Sequence, residues 1–289
     1  MFDLFDTINE YIKDILCQVI SSNLSTMFSD INVKTDSIAS EVAKTPQTFN
    51  ESAFNMVRSL SNDVMVPIAG IFIAIILCYE LISMLTEKNN MHDIDTWMLY
   101  KWVFKSAIAI WLLTHVYDIV MAVFDVGGYV VDKAAGIIDK DTFLETQGTL
   151  DYIEGVVASL EVGELIVLCV ETFVVSLCMK VICVLISVVL FARMIEIYLY
   201  TSVAPLPFST FANREWGQIG NNYLRGLLAL GFQGFLIMIV VGIYAAIIKG
   251  IDATGDIHST MFVILSYTVV LCFSLFKTGT LSKQIFNAH

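Results

Sequence analysis

Charged residues are scarce in this chain, and most of those present carry one sign. Asp, Glu, Lys and Arg make up 15% of its 289 residues, whereas a soluble domain carries about 25%. The formal net charge is -12, and phosphate binding depends on clustered Lys and Arg. A general nucleic-acid-binding protein is therefore excluded. Contact with nucleic acid is confined to a small basic patch or to passage past the protein.

Proline, basic N-terminal residues and metal-ligand patterns are also lacking. Four prolines are too few for a long disordered linker. The opening residues, MFDLFDTINE, are acidic, whereas a cleavable signal peptide begins with a basic segment, so we expect the N-terminal residues to be kept. The six cysteines do not have metal-ligand spacing, and we interpret them as small apolar packing residues.

Catalytic motifs are missing as well. The chain contains no HExxH, no GxSxG, no P-loop and no Cys/His cluster, which are the patterns that place a metal, a nucleophile or a nucleotide phosphate. We therefore predict that the protein is not an enzyme. We predict neither a cofactor nor a bound metal.

Long apolar runs are what this sequence does have. Hydrophobic residues make up 57% of it, and a helix of about 20 apolar residues crosses a hydrocarbon core roughly 30 Å thick. Backbone amides in lipid must be satisfied within their own segment, which makes helices the expected form. We predict an all-α, polytopic helical membrane protein with about five spans, at residues 64–85, 103–124, 165–192, 226–248 and 259–276.

Three segments lie outside these spans. The acidic N-terminal tail begins as an amphipathic helix, since Leu4, Ile8 and Ile12 recur at helical spacing, and its second half is polar and rich in turn-forming residues. We expect an outer segment of amphipathic helices and an inner segment with prolines and a tryptophan. The predicted divisions are the tail at 1–63 and the transmembrane domain at 64–289, with the outer segment at 125–163 and the inner segment at 193–225.

The orientation follows from Lys and Arg near the span ends, which favour the cytoplasm. With the tail outside, eight basic residues lie inside and seven lie in the longer outer segments, which predicts a cytoplasmic C-terminus. A sixth span at residues 195–212 would put the tail inside. We favour five spans because Glu196 opens that segment and Pro205 and Pro207 would break a helix at mid-bilayer. A re-entrant or interfacial hairpin fits it better.

Charges within spans are costly, so each is a candidate for function. Lys180 lies near the middle of the third span, nine residues after Glu171, and this spacing puts the two on different sides of the helix. Lys180 must therefore find a partner on another helix, meet water or extend to the interface. Asp118 and Glu80 are candidate pathway or inter-helix charges, with an interfacial position as the simpler interpretation.

The stretch from Arg193 to Val240 resembles the TrbL-like membrane subunits of type IV secretion and conjugation systems. In that family a long span precedes a proline-bearing apolar segment, a short basic turn with a tryptophan and a long Gly-rich span. Here Ala204-Pro205-Leu206-Pro207 matches the proline element. Trp216 matches the tryptophan, with basic residues on either side. The similarity is greatest to the short versions in conjugative elements of Gram-positive bacteria.

The resemblance implies a channel or scaffold subunit in the cytoplasmic (inner) membrane of a bacterium, without chemistry of its own. It would assemble as a homo-oligomer with other type IV secretion subunits and receive single-stranded DNA bound to its relaxase from a coupling ATPase. The candidate contacts with cargo or partner on the inner face are Arg193, Arg214, Trp216, Tyr223 and Arg225. Trp216 also fits an interfacial anchor, since tryptophans concentrate at membrane surfaces.

Two other classes of protein stay open. A small-solute secondary transporter or ion channel would use Lys180, Glu171 and the segment broken by Pro205 and Pro207, because discontinuous helices and buried charges mark such proteins. The absence of an inverted repeat and the count of five spans argue against it. The other class is a membrane scaffold without a pore.

Overall fold

The computed structural model describes residues 2–86, 96–137, 155–213, 215–250 and 257–288. All regular elements within these residues are helical, which confirms the predicted all-α class. The main helices are α1 (Phe2–Ala43), α2 (Pro46–Phe49), α3 (Glu51–Ser59), α4 (Val66–Thr86), α5 (Thr96–Thr114), α6 (Val116–Ile137), α7 (Val162–Val203), α8 (Pro205–Ser209), α9 (Gly217–Lys249) and α10 (Ile257–Ile285).

Four helices in the described ranges are long and apolar enough to span a membrane: Glu51–Thr86, Val162–Val203, Gly217–Ile248 and Ile257–Ile285. The pair α5 and α6 counts as a fifth if it is one broken span, because the two helices pass the same test together. Some are longer than a crossing requires. At 42 residues, α7 extends for about 63 Å at 1.5 Å per residue.

The predicted second span, residues 103–124, is bent by 64° between α5 and α6. Polar side chains at the bend explain it. Thr114 donates its hydroxyl hydrogen to the carbonyl of Trp111, and Nδ1 of His115 lies 3.0 Å from the same oxygen. Side chains that bond to carbonyls of the preceding turn compete with the helical ladder and bend helices.

The tail is more helical than its composition indicates. We expected turns in its second half, but α1 continues to Ala43. The chain then breaks before Pro46, which begins α2, with the Thr45 hydroxyl accepting a hydrogen bond from the Thr48 amide. Proline suits a first helical position because its missing N–H would have no partner there.

The predicted outer segment, residues 125–163, is described only at its two ends. Its first part continues α6 to Ile137, and residues 138–154 lie outside the described residues. The expectation of two amphipathic helices in this segment therefore stays a prediction.

The chain divides into two compact units. The first consists of Met1–Val42, Asp132–Leu190 and Ile237–Lys277, and the second consists of Ala43–Val131, Phe191–Leu236 and Thr278–His289. In the first unit α1 buries an apolar stripe that includes Ile20, Leu24 and Phe28. Hydrogen bonds join Asn23 to Thr172 and Lys34 to Ser187 in α7.

The second unit has two apolar clusters. One includes Val120 and Phe124 of α6 with Ile197 of α7 and Phe208 of α8, and the other joins α4 and α5 around Ile73. Small residues allow close packing: a Cβ on Gly127 would lie 2.7 Å from the Gly231 carbonyl oxygen. Close approach matters because lipid tails are as apolar as the side chains, which leaves packing to favour helix association.

Candidate functional site: the proline turn and the charged residues

Residues 204–216, here called the proline turn, connect α7 to α9 in the second unit; Arg214 lies outside the described residues. Helix α7 ends at Val203, and α8 begins at Pro205, where a proline has no N–H to lose. The Thr210 hydroxyl accepts a hydrogen bond from the Gly220 amide at 3.0 Å. This bond holds the turn against the start of α9.

Gly220 is needed for that contact. A Cβ at this position would lie 2.8 Å from the Pro207 carbonyl oxygen and 3.0 Å from the Phe211 ring. Backbone carbonyls cannot move aside as a flexible side chain would, so only glycine fits without a shift.

Glu80 in α4 connects the proline turn to the α4–α5 pair. Its Oε1 accepts a hydrogen bond from Lys105 Nζ at 2.6 Å, and its Oε2 accepts one from Asn213 Nδ2 at 2.5 Å. Oδ1 of Asn213 in turn accepts the backbone amides of Glu215 and Trp216, at 2.8 and 3.2 Å. One carboxylate therefore joins two helices and the turn through charge-assisted hydrogen bonds.

Trp216 stacks on Tyr79, with ring centroids 6.4 Å apart and an interplanar angle of 23°. It remains 43% exposed. Beside this pair is a cleft of about 570 Å³, whose walls include Glu80, Asn213 and Glu215. Among the described lining residues the charged groups are carboxylates, so these residues do not form a phosphate-binding site.

Tyr223 and Arg225 lie near the start of α9 and have partners within the chain. The Tyr223 hydroxyl donates to the Tyr200 carbonyl at 2.6 Å, and the two rings stack at 5.5 Å. Arg225 is exposed and donates from Nη1 to the Asn287 carbonyl at 3.4 Å. Tyr223 therefore holds α9 to α7, whereas the Arg225 side chain lies at the surface.

A second charged pair fixes the end of α10. Nζ of Lys283 lies 2.7 Å from Oε1 of Glu196, and the Ser282 hydroxyl donates to the Ala229 carbonyl at 2.6 Å. The pair is about two-fifths exposed at each partner, so its Coulomb energy is partly screened and small.

The charges predicted within spans are not brought together. Glu171 pairs with His258 at the start of α10, whereas Lys180 is exposed and has no hydrogen bond or ion pair to any described residue. His115 stacks on Trp111, and Asp118 is exposed one turn further along. The separation of Lys180 from Glu171 agrees with their spacing on the helix.

Among the described residues, Arg193 is the one predicted inner-face contact that the structure buries, at 8% exposure. Its Nε has no hydrogen-bond partner within the same part of the chain. Burial of an uncompensated cation is costly, and in this state its guanidinium is withdrawn from the surface.

Sequence reasoning did not identify Lys105, Asn213 or His258 as partners. The contact between Lys105 and Glu80 could have been predicted, because the two residues lie on consecutive helices joined by a short connection. Nothing in the sequence near Asn213 or His258 indicates their partners. Metal-ligating residues do not cluster anywhere within the described ranges.

The described helices and their cross-links define a multi-pass helical membrane protein. Residues 31–205 match the family described as TrbL/VirB6 plasmid conjugal transfer like protein. The match covers more than half of the chain, and the protein belongs to this family. It is therefore a component of the conjugal transfer, or type IV secretion, machinery. No curated protein and no solved structure matches the chain.

The family assignment confirms the predicted resemblance, although the matched region differs from the stretch that suggested it. The match begins within the last third of α1, at residue 31, and extends through α7, ending at Pro205. Trp216, Tyr223 and Arg225 lie beyond it. The roles of these three residues therefore rest on their own contacts.

Proposed function

We propose that this protein is a channel or scaffold subunit that helps single-stranded DNA with its bound relaxase cross the cytoplasmic membrane during conjugation. The family match over residues 31–205 carries the proposal. Support comes from the four to five helices that can span a membrane, since a translocation subunit must lie in the bilayer that its cargo crosses.

The proposed orientation places the proline turn and the C-terminus in the cytoplasm and the start of α1 outside, as the distribution of Lys and Arg indicates. A coupling ATPase would then meet the face that carries Trp216 and Arg225. The cleft beside Trp216 presents Glu80 and Glu215, which suits a basic or amide-rich protein surface better than a phosphate. Several copies of the chain would assemble with other secretion subunits around the cargo.

Deletion of the gene from its conjugative element tests the function. Transfer to recipient cells should be abolished while the relaxase still nicks the origin, because nicking takes place in the cytoplasm before membrane passage. Complementation from a second site should restore transfer. Normal transfer in a deletion strain without a second copy would exclude the conjugation role and favour a solute transporter or ion channel.

The cytoplasmic contacts can be tested with paired variants. Replacement of Arg214 and Arg225 together with Gln should lower transfer more than replacement of Lys133 and Lys140 with Gln. Only the first pair would meet the incoming cargo or the coupling ATPase, whereas both double variants remove the same charge. An equal effect of the two double variants, at equal abundance in the membrane, would contradict the proposed orientation.

A further inference from the structure

A groove of about 510 Å³ lies between the end of α7 and the start of α9, in the second unit. Leu199 and Val203 line it from α7, and Ile219 lines it from α9. The exposed fractions of Leu199 and Ile219 are 62% and 57%. The groove therefore presents apolar side chains that the described part of the chain leaves uncovered.

The groove lies beyond the predicted ends of the spans. Leu199 follows residue 192, where the predicted third span ends, by seven residues, which is about 10 Å along a helix. Lys283, which also lines the groove, follows residue 276 at the end of the fifth predicted span by the same number. The headgroup layer is roughly 5–8 Å deep on each side of the hydrocarbon core. Lipid tails therefore do not cover this groove, and a protein surface is the occupant that would bury its apolar side chains.

Two cations and one carboxylate lie where the groove meets α10. Lys283 Nζ lies 2.7 Å from Oε1 of Glu196. Arg193 precedes Glu196 by three residues on α7, and residues at this spacing are neighbours on one side of a helix. Arg193 is only 8% exposed, and its Nε has no hydrogen-bond partner in the described chain. These three residues therefore lack one carboxylate.

Glu196 is placed to serve either cation. Its pair with Lys283 is about two-fifths exposed at each partner, and exposed pairs contribute little, whereas a buried guanidinium without an anion is costly. A carboxylate brought to Lys283 by another molecule would release Glu196 to pair with Arg193, one turn earlier on the same helix. Binding would then compensate the buried charge, which favours an acidic partner over a basic or neutral one.

We infer that this groove is a docking site for an amphipathic helix of a partner protein, whose apolar side contacts Leu199 and Ile219 and whose acidic side chain pairs with Lys283. The groove residues of α9 run from Ile219 to Gly226, about 10 Å, which is the length of two helical turns. Apolar side chains at i, i+3, i+4 and i+7 of a docked helix cover that length. The inference rests on the proposed function in taking the partner to be another subunit of the transfer machine.

Photo-crosslinking in cells that carry the conjugative element tests the site. The photoreactive amino acid benzoylphenylalanine replaces Ile219 in the groove or, as the control, Ile239 on the same helix, which is 40% exposed within the predicted fourth span. We expect the Ile219 variant to form an adduct with another protein, mapped by mass spectrometry to an amphipathic segment with an acidic side chain. The control should form lipid adducts. Adducts of the Ile219 variant with lipid, with a second copy of the chain or with a basic segment, or none above the control, would overturn the inference.

Charge variants measure the exchange of Glu196 between the two cations. A synthetic peptide of the mapped segment is titrated against the solubilised full-length protein. Glu196→Gln frees Lys283, so the affinity should rise by up to about fivefold, the range of an exposed ion pair. If the pair served only to hold the end of α10, the same substitution would lower the affinity. Lys283→Met should lower the affinity by a similar factor, whereas Lys283→Arg should preserve it.

Arg193→Met tests the part of the exchange that does not involve contact with the partner. Its removal should weaken peptide binding, because the displaced Glu196 loses its second cation. In a Glu196→Gln protein the same substitution should leave the affinity unchanged. An unchanged affinity with Arg193→Met alone, or an equal loss with and without Glu196, would show that the exchange does not occur.

Failure of the docking site and failure of the proposed function give different results. If the Ile219 variant forms the adduct with an acidic segment but the deletion strain transfers DNA normally, the docking site stands and the conjugation role fails. If deletion abolishes transfer and the Ile219 variant forms lipid adducts, the role stands and the docking site is wrong.

Discussion

Glu80 and Asn213 are 133 residues apart in the chain and are joined by a hydrogen bond of 2.5 Å. The same carboxylate binds Lys105, while Asn213 is buried and binds two backbone amides of the proline turn. A single acidic side chain in α4 therefore fixes the turn on which the proposed partner surface lies. The position of Trp216 depends on this chain of contacts.

Loss of this link should destabilise the protein. Glu80→Ala leaves Lys105 and Asn213 without their partner, and we expect a loss of about 1–3 kcal/mol of unfolding free energy. Glu80→Ala and Asn213→Ala should couple by about 0.5–3 kcal/mol in a double-mutant cycle. Unfolding of the detergent-solubilised protein measures both. Asp125→Ala, which removes an exposed carboxylate of the same unit, is the control; an equal loss there would contradict the role of Glu80.

Gly220 and Gly70 offer a matched pair of glycine-to-alanine substitutions. Gly220→Ala places a Cβ 2.8 Å from the Pro207 oxygen, and we expect a cost of about 1–3 kcal/mol from overpacking. A Cβ added at Gly70 in α4 would meet no atom within 4 Å, and alanine there should stabilise the helix by about 0.5–1 kcal/mol. The measurement is the midpoint of thermal unfolding; a change of the same sign at both sites would disprove the packing argument.

Arg193 should be dispensable for stability in this state of the protein. Arg193→Met removes a buried cation whose Nε has no partner in the described chain, so unfolding free energy should be unchanged or higher. Arg58→Met is the control. Arg58 lies 5.6 Å from the Tyr117 ring centroid, and its loss should cost about 0.5–1 kcal/mol. A clear destabilisation by Arg193→Met would reveal a partner for the guanidinium.

The start of α1 should be accessible from outside the cell. Cys17 is half-exposed, and in a variant that lacks the other five cysteines it should react with a membrane-impermeant maleimide in wall-stripped cells. The proposed orientation gives the reason, because it places the beginning of the tail outside. If Cys17 reacted only after lysis, the tail would lie inside the cell, which would contradict the five-span topology and favour the six-span alternative.

Much of the fold was predictable because the signals are local. An apolar run of sufficient length specifies a membrane helix wherever it occurs, and long helices in the structure cover four of the five predicted spans. Pro205 ends α7 for an equally local reason, since proline has no N–H to continue the ladder. The bend at His115 was not predicted, because the mean hydropathy of residues 103–124 does not show that Thr114 and His115 both contact the Trp111 carbonyl.

The class of protein follows from the amino-acid sequence alone, because long uncharged apolar runs and few charged residues specify a helical membrane protein. The tertiary structure was needed to show which partners the charged residues have and which helix α1 packs against. Glu171 and His258 are 87 residues apart, and Lys34 and Ser187 are 153 apart. The spacing of apolar residues within a single helix does not predict such contacts, because they depend on how the helices pack against one another.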